Sequence, residues 1–205
     1  LMGKGTTNNL DWREWNASLV NSNTDITARK RISQNNNEIT GDIIFPFVEY
    51  GSKSKMIKEN IIIKNANVWT LEAEGNIENC DVIIEDGKII ALGQNLSLDE
   101  SNYRIINGEG MHLTPGIVDE HSHIALTGVN EGSQSVTSEV RMKDVVNSED
   151  VNIYRQLAGG VTTAQLLHGS ANPIGGQSAI IKLRWGSTPE EMLVEGADEY
   201  IKFAL

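Results

Sequence analysis

His121-Ser122-His123 is the place in this chain where residue type and spacing together describe a chemical tool. On an extended strand, residues two apart face the same way, so the two imidazoles share one side, about 7 Å apart along the strand. Asp119, two residues earlier, falls on that side too. Neutral imidazole is a good ligand for zinc and other first-row divalent ions. The plainer reading is two surface histidines on an edge strand. Only four histidines occur in 205 residues, and this pair closes an apolar run that starts at Ile117-Val118. Both facts favour the metal.

The elements around the pair must hold it in place. Thr114-Pro115-Gly116 is a turn, and Ile117-Val118 opens a strand. A Gly/Asn/Ser-rich loop follows from Thr127 to Ser138. Ser148-Glu149-Asp150 reads as a helix start, with its acids at the positive end of the helix dipole. Val151, Tyr154, Leu157 and Ala158 lie near helical spacing, and Gly159-Gly160 stops the helix. Val161 to Leu167 is then a buried strand, so the sequence predicts one repeat of a parallel α/β fold. The loop from His168 to Gln177 is rich in glycine but lacks the Gly-Lys-Ser/Thr of a phosphate cradle. Leaving the end of a strand, it either faces substrate or is a tight connection that uses glycine for positive φ. Gln177–Arg184 reads as a further strand. Thr188-Pro189-Glu190-Glu191 has the N-cap, the proline and the glutamate of a helix start. Tyr200 to Leu205 is an apolar strand broken by Lys202.

Upstream, strands are expected from Ile61 to Thr70, Cys80 to Glu85, Lys88 to Gly93 and Tyr103 to Gly108. Asp86-Gly87 between the second and third is a hairpin signal. Residues 1–58 are hardest to read. Asp11-Trp12-Arg13-Glu14-Trp15 suits a helical turn, Phe45 to Gly51 an extended and partly buried segment, and Ala28-Arg29-Lys30-Arg31 a solvated basic face. The segment is expected to be a linker or the tail of a preceding domain.

Composition excludes several classes. A single cysteine, Cys80, rules out an internal disulfide framework and a cysteine zinc site. The net charge is −11, and residues 61–205 hold 21 acidic against 9 basic side chains, which argues against nucleic acid as a partner. No signal-peptide pattern and no apolar run of membrane-spanning length occur, so a soluble chain without membrane contact is expected, in a compartment left open.

Strands, then Pro115-Gly116-Ile117-Val118-Asp119-Glu120-His121-Ser122-His123, then Gly160-Val161-Thr162-Thr163, resemble the metal-dependent amidohydrolase superfamily over roughly residues 60 to 205. The Gly-Ser-Ala-Asn-Pro-Ile-Gly-Gly-Gln stretch from Gly169 to Gln177 looks like its imidazolonepropionase-like and dipeptidase-like members. The resemblance implies an α/β fold, a TIM (β/α)8 barrel preceded by a small β-sandwich domain, with His121 and His123 at the end of the first barrel strand. The implied domains are 59–114 for the N-terminal part of the sandwich and 115–205 for the first barrel strands and helices. About three or four of the eight strands a barrel needs can be counted from residue 116. The barrel is therefore incomplete in this chain, and the rest of its own polypeptide or a complementary chain is expected to close it. The implied cofactor is a divalent metal, zinc foremost, as one or two ions. Lys202 would be a carboxylated bridging ligand in such a setting, or a lysine snorkelling from a strand end. Asp119 would orient His121, or bond to backbone. His168, Asn172 and Gln177 border the substrate side.

The expected activity is hydrolysis of amide, cyclic amide or peptide-like C–N bonds in a small molecule by a metal-activated water. The family's proton-shuttling aspartate belongs to a later strand, so no catalytic acid or base is assigned here and this segment alone is expected to be inactive. The alternative is a degenerate amidohydrolase segment with a structural or assembly role.

Overall fold

The computed structural model describes residues 41–204, together with the backbone of two N-terminal strands. The chain divides into two compact units, Leu1–Gly41 and Asp42–Leu205. In the first, β1 (Met2–Thr6) pairs antiparallel with β2 (Trp12–Asn16). The helical turn expected around Trp12 and Trp15 is therefore strand. A stretch that short gains little from a single helical turn, whereas β1 offers a full ladder. The basic cluster at 28–31 lies outside the described residues.

The second unit begins with a turn rather than the extended segment expected. Phe45 and Ser52 exchange both backbone bonds, at 2.7 and 2.9 Å. Pro46 is buried while Phe45 and Phe47 are exposed. The turn packs through Tyr50, whose ring stacks on Tyr154 at 4.5 Å. Its carbonyl accepts the Trp185 indole N–H at 2.9 Å.

Next comes a five-stranded sheet of β3 (Ile61–Trp69), β4 (Asn76–Glu85), β5 (Lys88–Gly93), β6 (Arg104–Asn107) and β7 (His112–Leu113). Its order is β5-β4-β3-β6, with β7 also pairing β3. Asp86 and Gly87 both have positive φ, 47° and 76°, as a two-residue hairpin turn of matching twist requires. Ala66, Val68, Cys80 and Val82 form the core of this sheet. Asn65, in the left-handed region at φ 59°, bulges β3, and the buried Asp81 carboxylate takes the amide N–H groups of Asn65 and Leu96, each at 3.0 Å.

The remainder mixes helix and strand. β8 (Ile117–Ser122), α1 (Val151–Ala158) and β9 (Val161–Leu166) form a strand–helix–strand unit in which β8 and β9 are parallel. Ile153, not Tyr154, is the fully buried residue of α1; Tyr154 is turned outward against Tyr50. β10 (Ile174–Gln177) and β11 (Ala179–Lys182) follow, then α2 (Pro189–Met192), whose Thr188–Glu191 capping box is formed, and β12 (Ile201–Phe203).

The strand expected over Gln177–Arg184 is not the next parallel barrel strand. β11 runs antiparallel to β9, because no helix lies between them to carry the chain back across the sheet. β10 and β12 pair antiparallel in a sheet of their own. Among the described residues the parallel core is β8 and β9, with no closed barrel. Ala164, Leu166, Ile181, Ile153 and Met192 form the core beneath it, all fully buried.

Candidate metal centre

β8 ends at Ser122, which is buried between two exposed histidines, His121 inside the strand and His123 just after it. The rings stand 5.3 Å apart between centroids and nearly perpendicular, at 84°. β9 fixes one of them. Beyond the Ser122–Leu166 register pair, the Leu167 amide donates to the Ser122 carbonyl at 3.0 Å. The Leu167 carbonyl lies 2.8 Å from His123 Nδ1. In a neutral imidazole that contact places the proton on Nδ1 and leaves the Nε2 lone pair outward, the state a metal needs. The Asp119 carboxylate accepts the His121 backbone N–H at 3.2 Å, so it touches the main chain of His121 and not its ring.

The donor set fits a divalent ion as far as it goes: two imidazoles on one strand face, one with its tautomer set. Among the described residues no group of three His, Cys, Asp or Glu side chains is placed to hold a metal. Lys202 lies in β12, whose partner is β10 rather than β8 or β9.

His168, Asn172 and Gln177 share a task that their types did not announce. All three bond to the loop that follows β8. The His168 ring is fully buried; its Nε2 accepts the Glu131 amide at 2.8 Å and its Nδ1 lies 2.9 Å from the Gly169 carbonyl. Asn172 Nδ2 donates to the carbonyls of Glu131 and Gln134, at 2.8 and 2.6 Å, while its buried Oδ1 has no partner among the described residues. Gln177 Nε2 donates to the Ser138 carbonyl at 2.7 Å. Backbone bonds from Gly169 to Val129 and from Thr137 to Ile174 complete the seam between the two loops.

The glycines of the second loop serve close approach, not positive φ. A Cβ at Gly176 would lie 2.7 Å from the Val140 carbonyl oxygen, one at Gly175 2.7 Å from His168 Nδ1, and one at Gly169 inside the Asn130 amide. In the first loop, the Ser133 hydroxyl and amide hold the Glu131 carboxyl below the usual glutamate range.

The sequence reading missed Asp150 as a link to the site. One carboxylate oxygen caps α1 through the Asn152 amide at 2.9 Å; the other takes the Ala125 amide at 2.7 Å. Ala125 is fully buried and sits at φ 55°, so the sharp bend two residues after His123 is held by the cap of the helix that follows. The cap was readable from its type; the second bond joins residues 25 apart and leaves no local pattern. A groove of about 920 Å³ lined by Lys55, Lys58, Tyr154, Arg184 and Trp185 contains neither histidine.

No family model matches the chain. Among curated proteins it is similar to the amidohydrolase tasK of Hapsidospora irregularis, at 32% identity over 145 residues, covering 59% of this chain and 15% of that protein. It is 42% identical over 69 residues to the 5'-deoxyadenosine deaminase of Methanosarcina barkeri, covering 33% of this chain and 16% of the relative. Among solved structures, an amidohydrolase from Thermotoga maritima MSB8 superposes with a TM-score of 0.58 at 37% identity, over 66% of this chain and 37% of that one. The chain thus spans about a sixth of the length of these curated relatives.

Proposed function

We propose that this chain, which belongs to the metal-dependent amidohydrolase superfamily, carries the first ligands of a centre that hydrolyses C–N bonds in small amide, cyclic amide or peptide-like molecules. β8–α1–β9 is the opening of its (β/α)8 barrel and the five-stranded sheet a part of the flanking β-sandwich. Strands from its own polypeptide or a complementary chain complete both.

One observation carries this reading: the Leu167 carbonyl at 2.8 Å from His123 Nδ1, which in a neutral ring leaves Nε2 with its lone pair free, on a ring whose centroid is 5.3 Å from that of His121. His121 and His123 hold one divalent ion, zinc foremost, and Lys202 is a candidate for bridging to a second. A bound ion of this kind supplies a water of near-neutral pKa and polarises the scissile carbonyl. The chain's own residues do the rest of what is assigned here. Asp119 braces the strand at His121 through its amide. The seam between the loops after β8 and β9 walls the site. Gln177 is offered on the substrate side, whereas Asn172 Oδ1, buried and without a donor among the described residues, is closed to it.

A second reading rests on the absence of a three-ligand group among the described residues: a degenerate segment that serves assembly. Metal content separates the two. In the full-length protein, zinc per chain is expected to fall in His121→Ala/His123→Ala together with hydrolysis of hydantoin-like or dipeptide-like substrates. Unchanged metal content in that double variant would overturn the proposal.

A further inference from the structure

We infer that His168 is a positioning residue for the His123 imidazole. The inference rests on His123 being a ligand, but its structural half can be tested without metal.

The carbonyl that orients His123 belongs to Leu167, and that carbonyl shares a rigid peptide plane with the nitrogen of His168. Whatever holds His168 therefore holds the carbonyl. His168 is held from two directions. Its fully buried ring accepts the Glu131 amide through Nε2 at 2.8 Å and meets the Gly169 carbonyl through Nδ1 at 2.9 Å. The next residue along the chain, Gly169, donates its amide to the Val129 carbonyl at 2.8 Å.

With Nδ1 donating and Nε2 accepting, the ring is neutral and has no nitrogen left for substrate or metal. A buried imidazole stripped of these partners would leave polar groups unsatisfied, so the loop after β8 closes on it in one register. That loop starts directly after His123. The two anchors of the ligand, its own strand and the carbonyl opposite, are tied together through one buried side chain. Gly175 belongs to the same packing, since a Cβ there would reach His168 Nδ1 at 2.7 Å. A small displacement of the Leu167–His168 peptide would break the contact to His123 Nδ1 and free that ring to change tautomer.

The test uses the full-length protein as wild type, His168→Leu, His168→Asn and His168→Gln. In metal-free protein, ¹⁵N-resolved imidazole NMR reads the proton on His123 Nδ1; a zinc titration against a competing chelator reads affinity. Leu removes both ring bonds and is expected to lose the His123 Nδ1–H signature. Gln, whose Oε1 reaches the Glu131 amide, is expected to keep it. Zinc affinity should fall roughly 10–100-fold in the Leu variant and stay within about threefold in the Gln variant, the range found for groups that orient a ligating histidine. Should Leu fail to fold, Asn, which keeps only the bond nearer its backbone, takes its place with the same expectation. An unchanged His123 signature in the Leu or Asn variant overturns the inference. Loss of the signature with unchanged zinc affinity upholds the positioning and overturns the ligand role instead.

Discussion

Asp150 shows how much one side chain can connect. Its two carboxylate oxygens serve two amides, one capping α1 and one fixing the left-handed Ala125. Removing the cap costs about 1 kcal/mol, and leaving the buried Ala125 N–H unpaired costs about 1–3 kcal/mol more. Asp150→Ala should therefore lower the urea midpoint of the full-length protein, with loss of hydrogen-exchange protection at Ala125 as the local sign. Gly176→Ala tests packing in the same way. Its Cβ would meet backbone, the Val140 carbonyl oxygen, at 2.7 Å, and a destabilisation of about 1–3 kcal/mol is expected. A neutral result would mean that the seam yields. At this scale the sequence was informative wherever type alone decides. A His-x-His pair shares a face on any strand, and Asp before a helix caps it. What it hid was every partner that is backbone: the carbonyl for His123, the amides for His168 and Asp150. A carbonyl has no residue type to read.

Among the elements, local signals held and long-range ones did not. The Asp86-Gly87 hairpin, the start and stop of α1 and the Thr188 capping box are each written within a few residues, and each formed. The antiparallel course of β11 was not legible, because an apolar run of β-branched residues reads alike in either direction; only the missing crossover helix decides. Nothing in the sequence ties the loops after β8 and β9 together, yet their side-chain and backbone bonds make them one object. Glu131 supplies a pH test of it. Its carboxyl is held low by the Ser133 hydroxyl and amide, so the bond is present above the unfolded value near 4.5 and is lost as pH falls through the lower, folded value. The Ser133 amide resonance should titrate with a midpoint below 4.5, and should not titrate in Glu131→Gln.

Across the molecule, charge is the simplest quantity to test. With a net −11 and the acidic surplus past residue 60, mutual repulsion works against compactness and added salt screens it. The urea midpoint should rise as ionic strength increases from a few mM to about 0.15 M, where the screening length is about 8 Å. A fall would mean that surface pairs such as Lys55–Glu191 and Lys58–Asp86 outweigh the repulsion. The antiparallel return of β11 onto β9 also has a consequence in time. That pair closes across the short stretch from Leu167 to Ser178, whereas β8 must reach β9 across everything from His123 to Gly160. Shorter closures cost less chain entropy and tend to come first. Pulse-labelled exchange should therefore protect the Ala164 and Ile181 amides before that of Ile117, which bonds the Gly160 carbonyl at the start of the β8–β9 pairing. On that schedule the β9–β11 pair forms first, and the Leu167 carbonyl meets His123 only when β8 and the loop after it dock onto that edge.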